Sequence, residues 1–216
     1  MILSQRELRK EVDAGRIKFD PPLEDRQWGE ASIDLRLGTH FTVLQKVAGV
    51  KLSVTQGLPQ LHGFWKSIEL PPRDEFGKPN GFCLEPEDFV LALTHESVTV
   101  PRNLIARVEG RSTYARLGIS MHQTAPWIQP GWEGQIVLEI KNSGTAAVEL
   151  FPLLDRPCQI TFFKLSSKLP ESQAYGSRAS DKYARQAHPL DQSKKRTPKA
   201  VTLPARKATK PRKSRR

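Results

Sequence analysis

The chain is predicted to fold as an all-β domain (a sandwich, barrel or jelly roll) preceded by one short helix. Three observations lead there. Apolar and polar residues alternate in many short runs, Gly, Pro, Asn and Asp fall between those runs, and the helical period disappears after about the first fifteen residues.

The helix is read over residues 5–14. Ser4-x-x-Glu7 has the spacing of a capping box, with Leu3 and Leu8 as a hydrophobic staple. Leu8 and Val12 share one face, and Gly15 suits the stop. Strands follow at Ser32–Leu37 and Phe41–Leu44. Residues 45–80, rich in Gly and Pro, read as a long excursion with some strand around Lys66–Leu70. Further strands are expected at Phe89–Leu93, Ser97–Val100, Leu104–Glu109, Gln135–Ile140, Val148–Phe151 and Gln159–Leu165. Turn residues separate them, among them Pro101-Arg102-Asn103, Gln129-Pro130-Gly131 and Asn142-Ser143-Gly144.

Charge divides the chain of 216 residues. Eleven Lys or Arg and one acid, Asp191, lie between Ala187 and Arg216, so that stretch carries +10 of the chain's net +11. Its few apolar residues do not offset the entropy of ordering, and a disordered Lys/Arg-rich tail is expected over 189–216. A charge run of this kind reads either as a solvated appendage or as an arm for loose, sequence-independent DNA or RNA contact. Cys83 and Cys158 form no C-x-x-C pair and no disulfide framework. The first residues lack a signal-peptide apolar region, and no apolar run reaches the roughly 18–20 residues that span a bilayer. A cytoplasmic protein without membrane contact is expected.

Zinc chemistry of the nucleobase-deaminase type needs H-x-E spacing and a P-C-x-x-C pair. Here Glu96 directly follows His95, and Pro157-Cys158 has no second cysteine, so no zinc is expected. Two other features carry chemistry. The turn Arg111-Ser112-Thr113-Tyr114-Ala115-Arg116 offers two guanidinium forks and two hydroxyls, suited to polyphosphate oxygens, yet is not a P-loop. On spacing alone an ordinary surface loop is the favoured reading. In Gln135–Ile140, alternation places Ile136, Leu138 and Ile140 on one face and Gln135, Val137 and Glu139 on the other. That pattern by itself favours a solvent-facing Glu139; the alternative is a general acid/base set in a pocket.

Five ordered motifs then bear a resemblance. Ala31-Ser32-Ile33-Asp34-Leu35-Arg36-Leu37-Gly38, Arg111–Gly118, Thr124-Ala125 with Pro130-Gly131-Trp132-x-Gly134, Ile136-Val137-Leu138-Glu139-x-x-Asn142, and Tyr175 with Lys182-Tyr183-x-x-Gln186 are similar, in order and spacing, to those of the deoxycytidine triphosphate (dCTP) deaminase family, a branch of the dUTP pyrophosphatase superfamily. The resemblance runs over about residues 1–188 and reverses both bland readings above. It implies a distorted jelly roll (a dUTPase-like β-clip) assembled as a homotrimer with active sites shared between subunits. It also implies a lid over 170–188 that orders on bound nucleotide.

By the same resemblance the activity is hydrolysis of dCTP to dUTP and ammonia, supplying dUTP for thymidylate synthesis. Glu139 matches the catalytic glutamate, which moves a proton from water during attack on cytosine C4, without a metal in that step. Arg116 and Ser112 match residues beside the ring and the attacking water, reaching across from a neighbouring subunit. Arg111, Tyr175, Lys182 and Gln186 match phosphate contacts, and Thr113, Tyr114 and Ala115 belong to the same substrate-binding turn. Thr124 and Ala125 match backbone facing the base, while Val137 and Leu138 flank the glutamate in the substrate-binding strand. Mg²⁺ is implied as a companion of the triphosphate, held by phosphate and water oxygens, and dTTP as a feedback inhibitor.

One position departs. The family pattern has Asp where this chain has Gln129, near the deoxyribose. Glutamine can hydrogen-bond a sugar hydroxyl but cannot serve as a carboxylate base. The expected product is therefore dUTP. The alternatives are a bifunctional enzyme that forms dUMP, and a catalytically idle nucleotide-binding regulator on the same scaffold.

Overall fold

A computed structural model describes residues 1–45, 64–178, 181, 183, 184 and 188–190. Residues 46–63 of the 45–80 excursion, Lys182, Gln186 and the basic run after Leu190 lie outside the described residues.

The fold is built from antiparallel strands. Helix α1 (Gln5–Asp13) is followed by β1 (Lys18–Asp20), β2 (Ile33–Leu35), β3 (Leu37–Leu44), β4 (Trp65–Glu69), β5 (Phe82–Leu84), β6 (Phe89–Thr99) and β7 (Leu104–Gly110). A single helical turn, α2 (Ser112–Ala115), leads to β8 (Ile119–Ser120), β9 (Trp127–Ile128), β10 (Glu133–Asn142), β11 (Val148–Leu150) and β12 (Cys158–Lys164). The largest sheet has the order β4-β3-β6-β10-β8, with β1 on the far half of β6. A second sheet has the order β2-β12-β7-β9, and β11 pairs with β5. Their inner faces meet in one core that includes Leu35, Phe41, Leu93, Leu138, Ile140, Ile160 and Phe162. No helix among the described residues is long and apolar enough to cross a membrane.

The alternating runs form strands as expected, with three informative differences. Ser4 makes no side-chain cap on α1. The Gln5 N–H is instead bound by the Glu30 carbonyl at 2.7 Å, and Glu7 turns to Lys10 at 2.9 Å, so the capping box does not form. Leu3 and Leu8 are nevertheless both buried, and Gly15 ends the helix at φ +66°.

The predicted strand Ser32–Leu37 is split at Arg36, where the chain passes from one sheet to another. The Arg36 N–H leaves the ladder to bind Glu96 Oε2 at 2.8 Å. The two predicted strands Phe89–Leu93 and Ser97–Val100 are one continuous β6. The residues between them include Thr94 and Glu96, which are fully buried and bonded.

Those two buried polar residues organise the molecule. Glu96 accepts from Arg36 Nε at 2.6 Å and from Gln27 Nε2 at 3.0 Å. Arg36 also reaches Glu24 at 2.7 Å, so a buried carboxylate is neutralised and fully bonded. Opposite β10 the bulge lies on β6, where Thr94, His95 and Glu96 stand against Ile136 alone, between the pairs Gln135–Ser97 and Val137–Leu93. The Ile136 N–H displaced there is taken by Thr94 Oγ1 at 2.9 Å, and Gln135 Nε2 reaches the Thr94 carbonyl at 2.8 Å. Such bulges bend the strand that carries them, here β6 beside the segment of β10 that bears Glu139.

Candidate active site

Glu139 lies on β10 opposite Leu91 of β6, just beyond the bulge. Its neighbours Leu138 and Ile140 are fully buried in the core, so alternation turns Glu139 to the other face. That face is covered. A cavity of about 420 Å³ is lined there by Glu139 and Val137 together with Trp65, Phe89, Trp127 and Tyr175, among others. Glu139 Oε2 accepts from the Gln123 backbone N–H at 3.0 Å, and the Gln123 side chain returns to the Glu139 carbonyl at 3.2 Å. Oε1 has no hydrogen-bond partner among the described residues. Tyr183, also lining the cavity, has its phenol pKa pushed up by burial and further by the charge of Glu139.

Pro130-Gly131-Trp132 forms one end of this site. Gly131 has φ +92°, and a Cβ there would press on Ala174 Cβ at 2.8 Å and Tyr175 N at 3.0 Å. The glycine therefore lets the C-terminal segment lie directly against the turn. The Tyr175 N–H binds the Pro130 carbonyl at 2.8 Å, its ring leans on Trp132 at 5.4 Å, and its hydroxyl accepts from the Tyr183 N–H at 3.3 Å. Gln129 and Ala125 line the same cavity, as do Pro189 and Leu190 farther along. Trp127 is held by its edge against Phe163 and by the Arg107 guanidinium 5.6 Å over its ring.

The arginine turn stands apart. None of Arg111, Ser112, Thr113, Tyr114, Ala115 or Arg116 lines the Glu139 cavity of the same chain. Ser112, Thr113, Ala115 and Arg116 are exposed. The turn is anchored from below. Arg111 contacts Asp34 at 3.3 Å and donates to the Arg156 carbonyl at 3.0 Å, and the Tyr114 hydroxyl donates to Asp155 at 2.7 Å. Burial raises the Asp34 pKa, opposed by Arg111 and Arg156. Tyr114 thus faces the core rather than the open side of the turn. Gly118 at φ +84° closes the turn against Gly144, where a Cβ would collide with backbone.

The structure therefore gathers Ala125, Gln129, Val137, Glu139 and Tyr175 in one cavity and presents Ser112 and Arg116 on a separate surface. Thr124 is exposed beside the cavity-lining Ala125, and Leu138 faces the core. Trp65 and Leu190, which line the cavity from distant segments, carry no chemical motif that marks them in sequence.

The antiparallel β-fold thus holds a single carboxylate in an aromatic cavity and, apart from it, an arginine turn. A crystal structure of 2′-deoxycytidine 5′-triphosphate deaminase from Agrobacterium tumefaciens aligns with a TM-score of 0.57 and 25% identity, covering 79% of this chain and 50% of that one. This chain thus spans half the length of that structure. Residues 2–165 match the dCTP deaminase-like family. A protein of Methanosphaera stadtmanae named "dCTP deaminase, dUMP-forming" is 40% identical over 189 residues, covering 87% of this chain and 91% of its own. One of Haloarcula marismortui named "dCTP deaminase" is 40% identical over 190 residues, covering 88% and 92%. The chain belongs to the dCTP deaminase-like family.

Proposed function

We propose that this protein hydrolyses dCTP to dUTP and ammonia. The observation that carries the reading is Glu139, a carboxylate held at one oxygen by the Gln123 N–H inside a cavity walled mostly by aromatic and aliphatic side chains. In that role Glu139 accepts a proton from water as the oxygen bonds to cytosine C4. It then returns the proton to the exocyclic nitrogen, and the C4–N bond breaks with release of ammonia. Arg116 and Ser112, exposed on their own chain, complete the site from a neighbouring subunit of a homotrimer, where the guanidinium offsets negative charge building on the substrate. Arg111 binds phosphate oxygens with Tyr175, Lys182 and Gln186. Residues 170–188 act as the lid, which excludes water. Mg²⁺ enters on the triphosphate. The cavity offers one carboxylate, one amide and two phenols, a donor set that fits a cation held mainly by phosphate and water oxygens.

The product turns on Gln129, which lines the same cavity as Glu139. Lacking a carboxylate base there, the enzyme releases dUTP. A second reading, direct formation of dUMP, is favoured by the name of the Methanosphaera stadtmanae relative. The same name recurs among most of the similar relatives, while one named "dCTP deaminase" is equally 40% identical, so the reading for dUTP rests on Gln129. Chromatography of the products of dCTP and Mg²⁺ separates the readings. dUTP accumulating without dUMP is expected, and dUMP formed from the first turnovers would establish the second.

The basic run contributes DNA or RNA contact by releasing counterions from phosphates, and three copies per trimer would strengthen it by avidity. Deleting residues 191–216 is expected to abolish salt-sensitive retention on DNA while deamination stays nearly intact. Loss of deamination on that deletion would assign the segment to the lid instead.

A further inference from the structure

Trp65, on β4, lines the cavity that contains Glu139. Its indole nitrogen is buried, and no acceptor among the described residues reaches it. An indole N–H is a donor only, and a buried donor left unpaired is costly, so native structures rarely keep one without a use. The other orphaned side-chain atoms, on Arg107, Glu109 and His122, belong to residues that do not line this cavity. Trp65 is the cavity-lining residue among the four.

The lining residues' other polar groups are Glu139, Gln129, the hydroxyls of Tyr175 and Tyr183, and the indole N–H groups of Trp127, which is partly exposed, and Trp132, which donates to the Gly134 carbonyl at 3.1 Å. Tyr175 is already engaged with Tyr183, and Glu139 with Gln123. We infer that Trp65 is a substrate-binding residue whose indole N–H donates a hydrogen bond to an oxygen of the bound nucleotide. The ligand atom is an acceptor because the protein group can only donate. Its source is a sugar hydroxyl, a phosphate oxygen or the base carbonyl. The inference rests on the proposed nucleotide site but not on the chemistry of deamination.

Trp65→Phe removes the N–H and keeps an aromatic ring in the cavity. It is expected to raise KM and Kd for dCTP about five- to tenfold, the span of one hydrogen bond, with kcat nearly unchanged. Thermal stability of the ligand-free protein should hold or rise, since an unpaired buried donor is gone. Replacing Trp65 with 3-benzothienylalanine, which keeps the two-ring shape without the N–H, should give the same loss of affinity.

Substrate arms locate the acceptor. If dCMP or 2′,3′-dideoxy-CTP loses no further affinity with the variant, the missing phosphates or 3′-hydroxyl held the bond. A loss persisting with both assigns it to the base carbonyl or the α-phosphate, and deoxycytidine, which lacks that phosphate, separates these two. Unchanged dCTP affinity in the benzothienyl variant would overturn the inference, as would a failure of the native protein to bind dCTP. Binding of dCTP without turnover would overturn only the deaminase reading, and the Trp65 comparison would then be read from Kd alone.

Discussion

Replacing Glu139 with Gln is expected to leave dCTP binding within a few-fold of native and to lower kcat by roughly 10²–10⁴-fold, the share that positioned acid/base catalysis supplies. Glutamine preserves the length of the side chain, and its carbonyl oxygen still accepts the Gln123 N–H that holds Oε2 at 3.0 Å. What it cannot do is take a proton from water and pass it to the departing nitrogen. A loss confined to kcat marks a group that acts in the transition state, whereas a rise in KM alone marks uniform binding. Stopped-flow or end-point detection of ammonia, with Kd from titration calorimetry, separates the two. Turnover near the native rate in Glu139→Gln would remove this residue from the chemistry.

The second large effect is on stability. Glu96→Ala is expected to destabilise the fold by about 3–5 kcal/mol, the cost of leaving one member of a buried ion pair uncompensated. Glu96 is fully buried and takes hydrogen bonds from Arg36 Nε, the Arg36 N–H and Gln27 Nε2. Its removal strands all three donors. Glu24 remains for Arg36 at 2.7 Å, but its side chain is 40% exposed and replaces only part of the lost charge. A loss of this size is a large fraction of the roughly 5–15 kcal/mol that holds a domain together. Urea unfolding followed by circular dichroism measures it. A change under about 1 kcal/mol would mean that the network is not structural.

Much of this arrangement was legible in the chain. Alternation located β7, β10 and β12, and it placed Ile136, Leu138 and Ile140 in the core with Glu139 opposite. Alternation is blind to what covers a strand's second face. Here that cover comes from Trp65, Phe89 and Leu190, brought together only by tertiary folding. Residues 94–96 fell between two expected strands, and the partners of Glu96, Arg36 and Gln27, lie 60 and 69 positions away in sequence. The capping box did not form because the Glu7 carboxylate turns to Lys10 at 2.9 Å instead of back to the helix start. The ordered motif around Asp34 and Arg36 proved to be two anchors, Asp34 toward Arg111 and Arg36 toward Glu96.

Two half-sites on separate surfaces of one chain, the Glu139 cavity and the exposed Arg116 turn, form the centre of this account. Mixing inactive partners tests it most directly. Glu139→Gln and Arg116→Ala proteins, each purified and each inactive on dCTP, would be unfolded together and refolded into mixed trimers. Random assembly in a closed ring gives about a quarter of the sites both an intact Glu139 and an intact neighbouring Arg116. Recovery of about that fraction of native dUTP formation is predicted. Activity no greater than the sum of the two separate variants would contradict a site shared between subunits.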